Sequence, residues 1–289
     1  CHPTLDFPPR DVLENARKAA EHAAFFGPGS RVVFDAVSLN ISGDKYYEHG
    51  DIPTAIREFQ LALRMDPQNG NVHNSLGVCY GELGDHERAL EAFGSALSVD
   101  GGDYMAVYNT GLICELKGDR EKALEHFLKA CALHGDVFEI LLQTGKLQLE
   151  MGDSRAARPL LERAARLRPR SGQSQRLLGD CYVQLQAPEK AIDAYKKAVK
   201  ANPADSAALS ALGGLFDEKG ENPDIALVFC RESVRISPDN PLFRRRLGGL
   251  YSKLNRLDEA LGEFEQAGRL GQDCAEDIRR IRERMAERN

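Results

Sequence analysis

Small residues recur every 34 positions through most of this 289-residue chain. One column contains only glycine: Gly43, Gly77, Gly111, Gly145, Gly179 and Gly213, with Gly248 one residue late. Alanine forms two further columns, and a fourth column of mostly aromatic or large apolar residues begins with Phe59 and Phe93. A repeat this short cannot bury its own apolar face, so its neighbours must cover it. The chain is therefore predicted to be a solenoid of stacked repeats.

The columns have a direct physical interpretation. Glycine on one helix and alanine on the next allow two helices to approach closely, and the aromatic column fills the space between units. A Gly-Asp dipeptide separates the two helices in four units, at Gly50-Asp51, Gly84-Asp85, Gly118-Asp119 and Gly152-Asp153. Glycine can adopt the left-handed conformation that ends a helix, and aspartate can cap the helix that follows.

With these columns and turns the chain resembles the tetratricopeptide repeat (TPR) family, whose unit is a helix-turn-helix of 34 residues. The resemblance implies an all-α fold, a right-handed superhelical solenoid. We expect seven repeats within 36–274, namely 36–69, 70–103, 104–137, 138–171, 172–205, 206–240 and 241–274. Residues 275–289 place Ile278, Ile281 and Met285 on one face of a charged helix, which is predicted to cap the C-terminal end.

Residues 1–35 do not follow the period. They contain an Ala-rich helical pattern that ends near Gly27, and residues 31–35 have the composition of a short strand. The helix, the glycine turn and the Arg-Val-Val segment resemble the end of a diguanylate-cyclase-type domain, so this arm is either a remnant of an upstream domain or an N-terminal capping helix with an extended arm. We favour the cap, and expect the arm to pack weakly, if at all, on the concave surface of the repeats.

Composition narrows the classes of function. The formal net charge of −6 argues against a chain that neutralises nucleic-acid phosphates, and no apolar run approaches the roughly 20 residues of a membrane span. The sequence has no CxxC pair, no HExxH, no Gly-rich phosphate loop and no GxSxG. We therefore expect no metal, no cofactor and no catalysis. Dispersed cysteines favour a reducing, cytoplasmic location, and a periplasmic bacterial lipoprotein beginning at Cys1 is the alternative.

The resemblance also implies where a partner binds. In the TPR family the first helix of each repeat lines the concave face, and register places these candidates there: Asn40, Asn74, Tyr108, Asn109, Gln143, Lys146, Arg176, Arg245 and Arg246. Amides can pair with a peptide backbone, and Arg or Lys with carboxylates. A solvated face without a ligand is the competing interpretation. The family's carboxylate clamp for chaperone tails needs Lys and Asn in the first groove, where this chain has Asn40 and Asp44, so that function is not expected.

The predicted function is that of a scaffold that binds a protein or peptide segment in its concave groove. The more basic C-terminal half favours an acidic partner, and self-association is left open. The alternative is a regulatory TPR module of a multidomain bacterial signalling enzyme whose catalytic domain lies upstream of residue 1.

Overall fold

A computed structural model describes residues 7–220 and 223–287, and these residues form sixteen α-helices and no strand. The helices are α1 (Val12–Ala24), α2 (Ala36–Glu48), α3 (Ile52–Met65), α4 (Gly70–Glu82), α5 (His86–Val99), α6 (Tyr104–Leu116), α7 (Arg120–Leu133), α8 (Phe138–Glu150), α9 (Ser154–Leu167), α10 (Gly172–Gln184), α11 (Pro188–Ala201), α12 (Ser206–Lys219), α13 (Pro223–Ile236), α14 (Pro241–Lys253), α15 (Leu257–Arg269) and α16 (Ala275–Ala286). The all-α class is confirmed. No helix in the described ranges has the length and apolar character needed to cross a membrane.

The chain divides into two compact units, Cys1–Ile140 and Leu141–Asn289. The first contains α1 and the pairs α2–α3, α4–α5 and α6–α7, and the second contains the pairs α10–α11, α12–α13 and α14–α15, followed by α16. The boundary between the units falls within α8. The remaining repeat consists of α8 as its first helix and α9 as its second. Below, the first helix of each repeat is its A helix and the second is its B helix.

The glycine column lies against the aromatic column inside each repeat. A Cβ atom built on Gly43 would lie 2.5 Å from the Phe59 ring, and one on Gly179 would lie 2.6 Å from the Tyr195 ring. Both aromatic side chains are almost completely buried. The predicted role of glycine is therefore confirmed, since any larger residue would push the two helices apart.

The Gly-Asp turns adopt the geometry expected of them. In all four, glycine has a φ between +75° and +85°. The aspartate that follows accepts a hydrogen bond from a backbone N–H of the next helix, as in Asp51 Oδ1 with Thr54 N at 3.2 Å and Asp153 Oδ1 with Ala156 N at 3.0 Å. Each turn thus ends one helix and starts the next without help from other repeats.

Helix α1 is docked on the first repeat. Lys18 is 4% exposed, and its Nζ lies 2.6 Å from Oε2 of Glu58 in α3, which is 2% exposed. His22 Nδ1 lies 3.1 Å from the Ser38 Oγ of α2, and Lys45 Nζ donates to Glu21 Oε2 at 2.8 Å. The expectation of weak packing was wrong, because an ion pair between residues 40 positions apart leaves no periodic signal in the sequence.

Residues 31–35 form no strand. Phe34 is buried against Phe7, with the ring centroids 5.3 Å apart and edge to face, and Asp35 caps α2 by accepting a hydrogen bond from Ser38 N at 2.9 Å. The strand prediction was wrong because the described residues provide no second strand to pair with, and Phe34 buries itself against side chains instead. Cys1, on which the lipoprotein alternative rests, lies outside the described residues.

Candidate functional site

In the first unit, four candidates lie on the A helices α2, α4 and α6. Asn109 Nδ2 donates to Asn74 Oδ1 at 3.0 Å, which joins α6 to α4. Asn40 Nδ2 makes only a long hydrogen bond, 3.4 Å, to Asp44 Oδ2, and Asn40 Oδ1 is buried without a hydrogen-bond partner among the described residues. The structure therefore brings Asn74 and Asn109 together and leaves Asn40 with an unused acceptor.

A cavity of about 240 Å³ lies beside this amide pair. Asn109 lines it together with the apolar side chains of Val78, Leu112 and Leu116, and Glu82 also contributes to its wall. Leu116 is 67% exposed, so its side chain is accessible to a partner at the edge of the cavity. The arrangement can accept an apolar side chain while an amide faces the backbone that carries it.

Tyr108 stands next to Asn109 in α6, with its ring centroid 5.4 Å from that of Phe127. Burial, reinforced by the negative charges of Glu139 and Glu115, raises the pKa of Tyr108 to about 12. The hydroxyl therefore stays protonated at neutral pH and remains able to donate a hydrogen bond.

In the second unit, Arg176 of α10 lies between two carboxylates. Its Nη1 is 3.2 Å from Asp180 Oδ2 and its Nε is 3.5 Å from Asp205 Oδ2. The Tyr195 hydroxyl donates to Asp180 Oδ1 at 2.6 Å, and burial together with the Asp180 charge raises the pKa of Tyr195. Arg176 is thus held in a network of fixed partners rather than presented as a free cation.

The adjacent arginines of α14 have different surroundings. Arg245 Nε lies 2.9 Å from Oδ2 of Asp277 in the C-terminal helix α16. Arg246 Nη1 donates to Ser210 Oγ of α12 at 2.6 Å, and Arg246 forms no ion pair with any described residue. On α8, Gln143 is half-buried and Lys146 Nζ lies 3.7 Å from Glu150 Oε1.

These pairs reduce the positive charge expected of this A-helix surface. Arg176, Arg245 and Lys146 each have a carboxylate within 4 Å, and Lys253 pairs with Asp217 at 2.8 Å. Of the predicted cations, Arg246 alone lacks a carboxylate partner within the described ranges. The sequence did contain a signal for some of these partners, because Asn74 and Asn109 are 35 residues apart and Ser210 and Arg246 are 36 apart. Such offsets place two residues on successive A helices.

Comparison with known proteins agrees with this architecture. The tetratricopeptide repeat model matches residues 80–136, 142–206 and 188–241, and a second TPR model matches residues 43–84. Stress-induced-phosphoprotein 1 of Caenorhabditis elegans is 33% identical over 67 residues, a match that spans 23% of this chain and 19% of that protein. The chain thus matches less than a fifth of that relative's length.

Solved structures with the same fold include YrrB, described as a TPR protein with an unusual peptide-binding site, at a TM-score of 0.59 and 21% identity. That match covers 64% of this chain and 95% of YrrB. PilF of Pseudomonas aeruginosa has a TM-score of 0.64 at 18% identity, with 74% of this chain and 97% of that chain covered. At such identities the likeness concerns the fold.

Stacked helix pairs with glycine-to-aromatic packing and Asp-capped turns define a helical-repeat scaffold. The chain belongs to the tetratricopeptide repeat family. Repeats of this family support a general role in protein–protein interaction.

Proposed function

We propose that the chain is a scaffold whose A-helix surface, formed by the first helices of its repeats, binds an extended segment of a partner protein. The observation that carries this proposal is the Asn74–Asn109 pair beside the apolar cavity of the first unit. Asn109 can hydrogen-bond the partner's main chain, and Val78, Leu112 and Leu116 can surround one of its apolar side chains.

In the second unit, the proposed contact with a carboxylate of the partner is made by Arg246. Its guanidinium uses one N–H for Ser210 and has further donors to offer. Arg245 contributes less, because a partner carboxylate would have to compete with Asp277. An acidic partner is therefore favoured here by one arginine rather than by a continuous basic surface.

The experiment is affinity capture from source-cell lysate with the full chain, followed by binding measurements on the captured partner. Leu116→Glu should weaken binding at least about tenfold, because it places a charge in the apolar cavity. Leu128→Glu is the matched control, since Leu128 is an exposed leucine on the B helix α7. Equal effects of the two substitutions would rule out the A-helix surface.

The role of Arg246 is tested on the same captured partner. Arg246→Ala should lower affinity and reduce the dependence of binding on salt, while Arg245→Ala should have the smaller effect. Unchanged affinity for both variants at low salt would show that these arginines belong to a solvated face.

A further inference from the structure

A groove lined mainly by residues of two B helices lies in the described second unit. It has a volume of about 1020 Å³ and runs between the C-terminal halves of α9 and α11, over α10. We call it the B-helix groove, and define it by Arg166, Arg170, Gln175, Leu178, Lys197 and Lys200. Its size is sufficient for several residues of an extended peptide.

The floor of the groove combines apolar side chains with one amide. Leu178 and Ala165 are 8% and 9% exposed, and Gln175 is 6% exposed. The side chain of Gln175 forms no hydrogen bond with any described residue, although it lines the groove. Its amide atoms are open to the solvent in the groove, where a ligand can reach them. An amide offers both a donor and an acceptor, which is what a peptide main chain requires.

The rim of the groove is basic, and most of its charge is not neutralised. Arg166, Arg170 and Lys200 are exposed, and none of them forms an ion pair with a described residue. Lys197 pairs with Asp193 at 2.7 Å. Glu162 also lines the groove, and its carboxylate accepts a hydrogen bond from the Tyr182 hydroxyl at 3.0 Å.

This rim differs from the A-helix surface of the same unit. There, Arg176 and Arg245 are held by aspartates of the chain, whereas the groove keeps three cations without such partners. The charge of the groove's rim is positive, whereas the formal net charge of the whole chain is −6. Local positive charge in an acidic protein directs an acidic ligand to this groove rather than to the rest of the surface.

We propose that the B-helix groove is a second binding site, and that it takes an acidic, extended peptide segment of a protein partner. Arg166, Arg170 and Lys200 pair with its carboxylates, and Gln175 hydrogen-bonds its main chain. Leu178 and Ala165 contact its apolar side chains. The apolar floor and the amide favour a peptide over a nucleic acid, which would need phosphate contacts and base stacking. This site is independent of the A-helix surface and does not require it to function.

The test uses the full chain and a fluorescent ten-residue peptide in which glutamate alternates with leucine. The comparison peptide carries glutamine in place of every glutamate. We expect the acidic peptide to bind at least about tenfold more tightly than the glutamine peptide, and to lose affinity as salt rises from about 0.05 M to about 0.3 M. Equal affinity for the two peptides, or no binding of the acidic peptide at about 1 mM, would overturn the proposal.

Two variants locate the site. The double change Arg166→Glu with Lys200→Glu should weaken binding of the acidic peptide at least about tenfold. The control, Arg155→Glu with Lys190→Glu, changes the charge of the same unit equally at exposed residues that do not line the groove. Equal losses in the two double variants would mean that only net charge matters and would refute the assigned site.

Gln175→Leu tests the amide without adding a charge. It should lower peptide affinity while the denaturation midpoint stays the same or rises, because leucine suits a buried position. A single-stranded oligonucleotide of equal length that bound more tightly than the acidic peptide would refute the peptide as occupant. Leu116→Glu should leave peptide binding intact, so failure of the A-helix proposal is distinguishable from failure of this one.

Discussion

A Cβ atom on Gly77 would lie 2.5 Å from the ring of Phe93, a separation that packed atoms do not tolerate. Phe93 is 2% exposed and borders the cavity of about 240 Å³, so its ring must leave its packed position to admit the Cβ atom. Gly77→Ala should therefore lower the free energy of unfolding by about 1–3 kcal/mol, even though alanine is the better helix former. Urea denaturation measures the change.

Gly94 provides the control for that substitution. It lies in α5, and a Cβ atom there would meet nothing within 4 Å. Gly94→Ala should raise stability by up to about 1 kcal/mol, because only helix propensity changes. If the two variants shifted the denaturation midpoint in the same direction, close packing would not be the reason for glycine in this column.

The buried ion pair between Lys18 and Glu58 should hold α1 on the first repeat. Removing one partner of a buried ion pair typically costs about 3–5 kcal/mol, and in Glu58→Gln the more exposed Glu14, whose Oε1 lies 3.6 Å from Lys18 Nζ, offsets part of that cost. We expect this cost to appear as release of α1, so that its amides exchange hydrogen rapidly while those of α5 remain protected. Hydrogen exchange read out by mass spectrometry checks this outcome.

The double variant Lys18→Met with Glu58→Met is the control for Glu58→Gln. Two apolar side chains of similar length leave no uncompensated charge, so α1 should stay docked. Rapid exchange in both variants would show that the packing of these side chains, rather than their charge, positions the helix.

Two turns have neither the glycine nor the aspartate of the Gly-Asp pattern, and restoring these residues should stabilise the fold. Gln186 and Asn255 take the left-handed conformation, with φ of +55° and +59°, where glycine stands in the earlier turns. Ala187 also provides no side-chain cap for α11. Gln186→Gly should stabilise the second unit by about 1 kcal/mol, and adding Ala187→Asp should contribute about 1 kcal/mol more. Thermal unfolding tests both, with Gly118→Gln as the reverse change that should destabilise.

Three buried cysteines should be chemically inert in the folded protein. Burial raises the pKa of the Cys79, Cys181 and Cys230 thiols to about 11. At pH 8 only about one thiol in a thousand is then ionised, and the thiolate is the reactive form. Iodoacetamide labelling followed by mass spectrometry should show these residues reacting far more slowly in the native chain than in urea. Fast native labelling would contradict the burial.

The same shifts predict the alkaline behaviour of the fold. A thiol whose pKa is higher in the folded than in the unfolded state favours the unfolded state as it ionises. The free energy of unfolding should therefore fall as the pH rises from about 9 to about 11. The triple variant with alanine at Cys79, Cys181 and Cys230 should show a smaller fall, and an equal fall would assign the effect to other groups.

The repeats could be predicted from the sequence because the contacts that form each repeat lie within about 34 consecutive residues. Gly77 and Phe93 lie 16 residues apart in one repeat, and the pattern recurs in the other copies with Leu161 and Cys230 replacing the aromatic residue in two of them, so periodicity alone finds it. Arrangements that occur once were missed. The Lys18–Glu58 pair and the Arg245–Asp277 pair join the terminal helices α1 and α16 to the repeats, and neither recurs.

The charge of a surface was harder to predict than its position. Register placed Arg176 and Arg245 on A helices, but whether their charge is available depends on Asp180, one helical turn from Arg176, and on Asp205 and Asp277, which only the folded chain brings near. The B-helix groove was missed for a related reason. Its cations come from two B helices and a loop, whereas the family resemblance predicts a partner-binding face on the A helices alone.

The docking of α1 also limits how copies of this chain can assemble. An open end of a helical array presents an apolar surface on which the next repeat, or another molecule, can stack, and such head-to-tail contacts grow into filaments. Here Lys18, Ala19 and His22 of α1 are buried at that end of the first unit. While α1 stays docked, the surface of the first repeat that it covers is not accessible to a second copy, and variants that release it should form oligomers whose size rises with protein concentration.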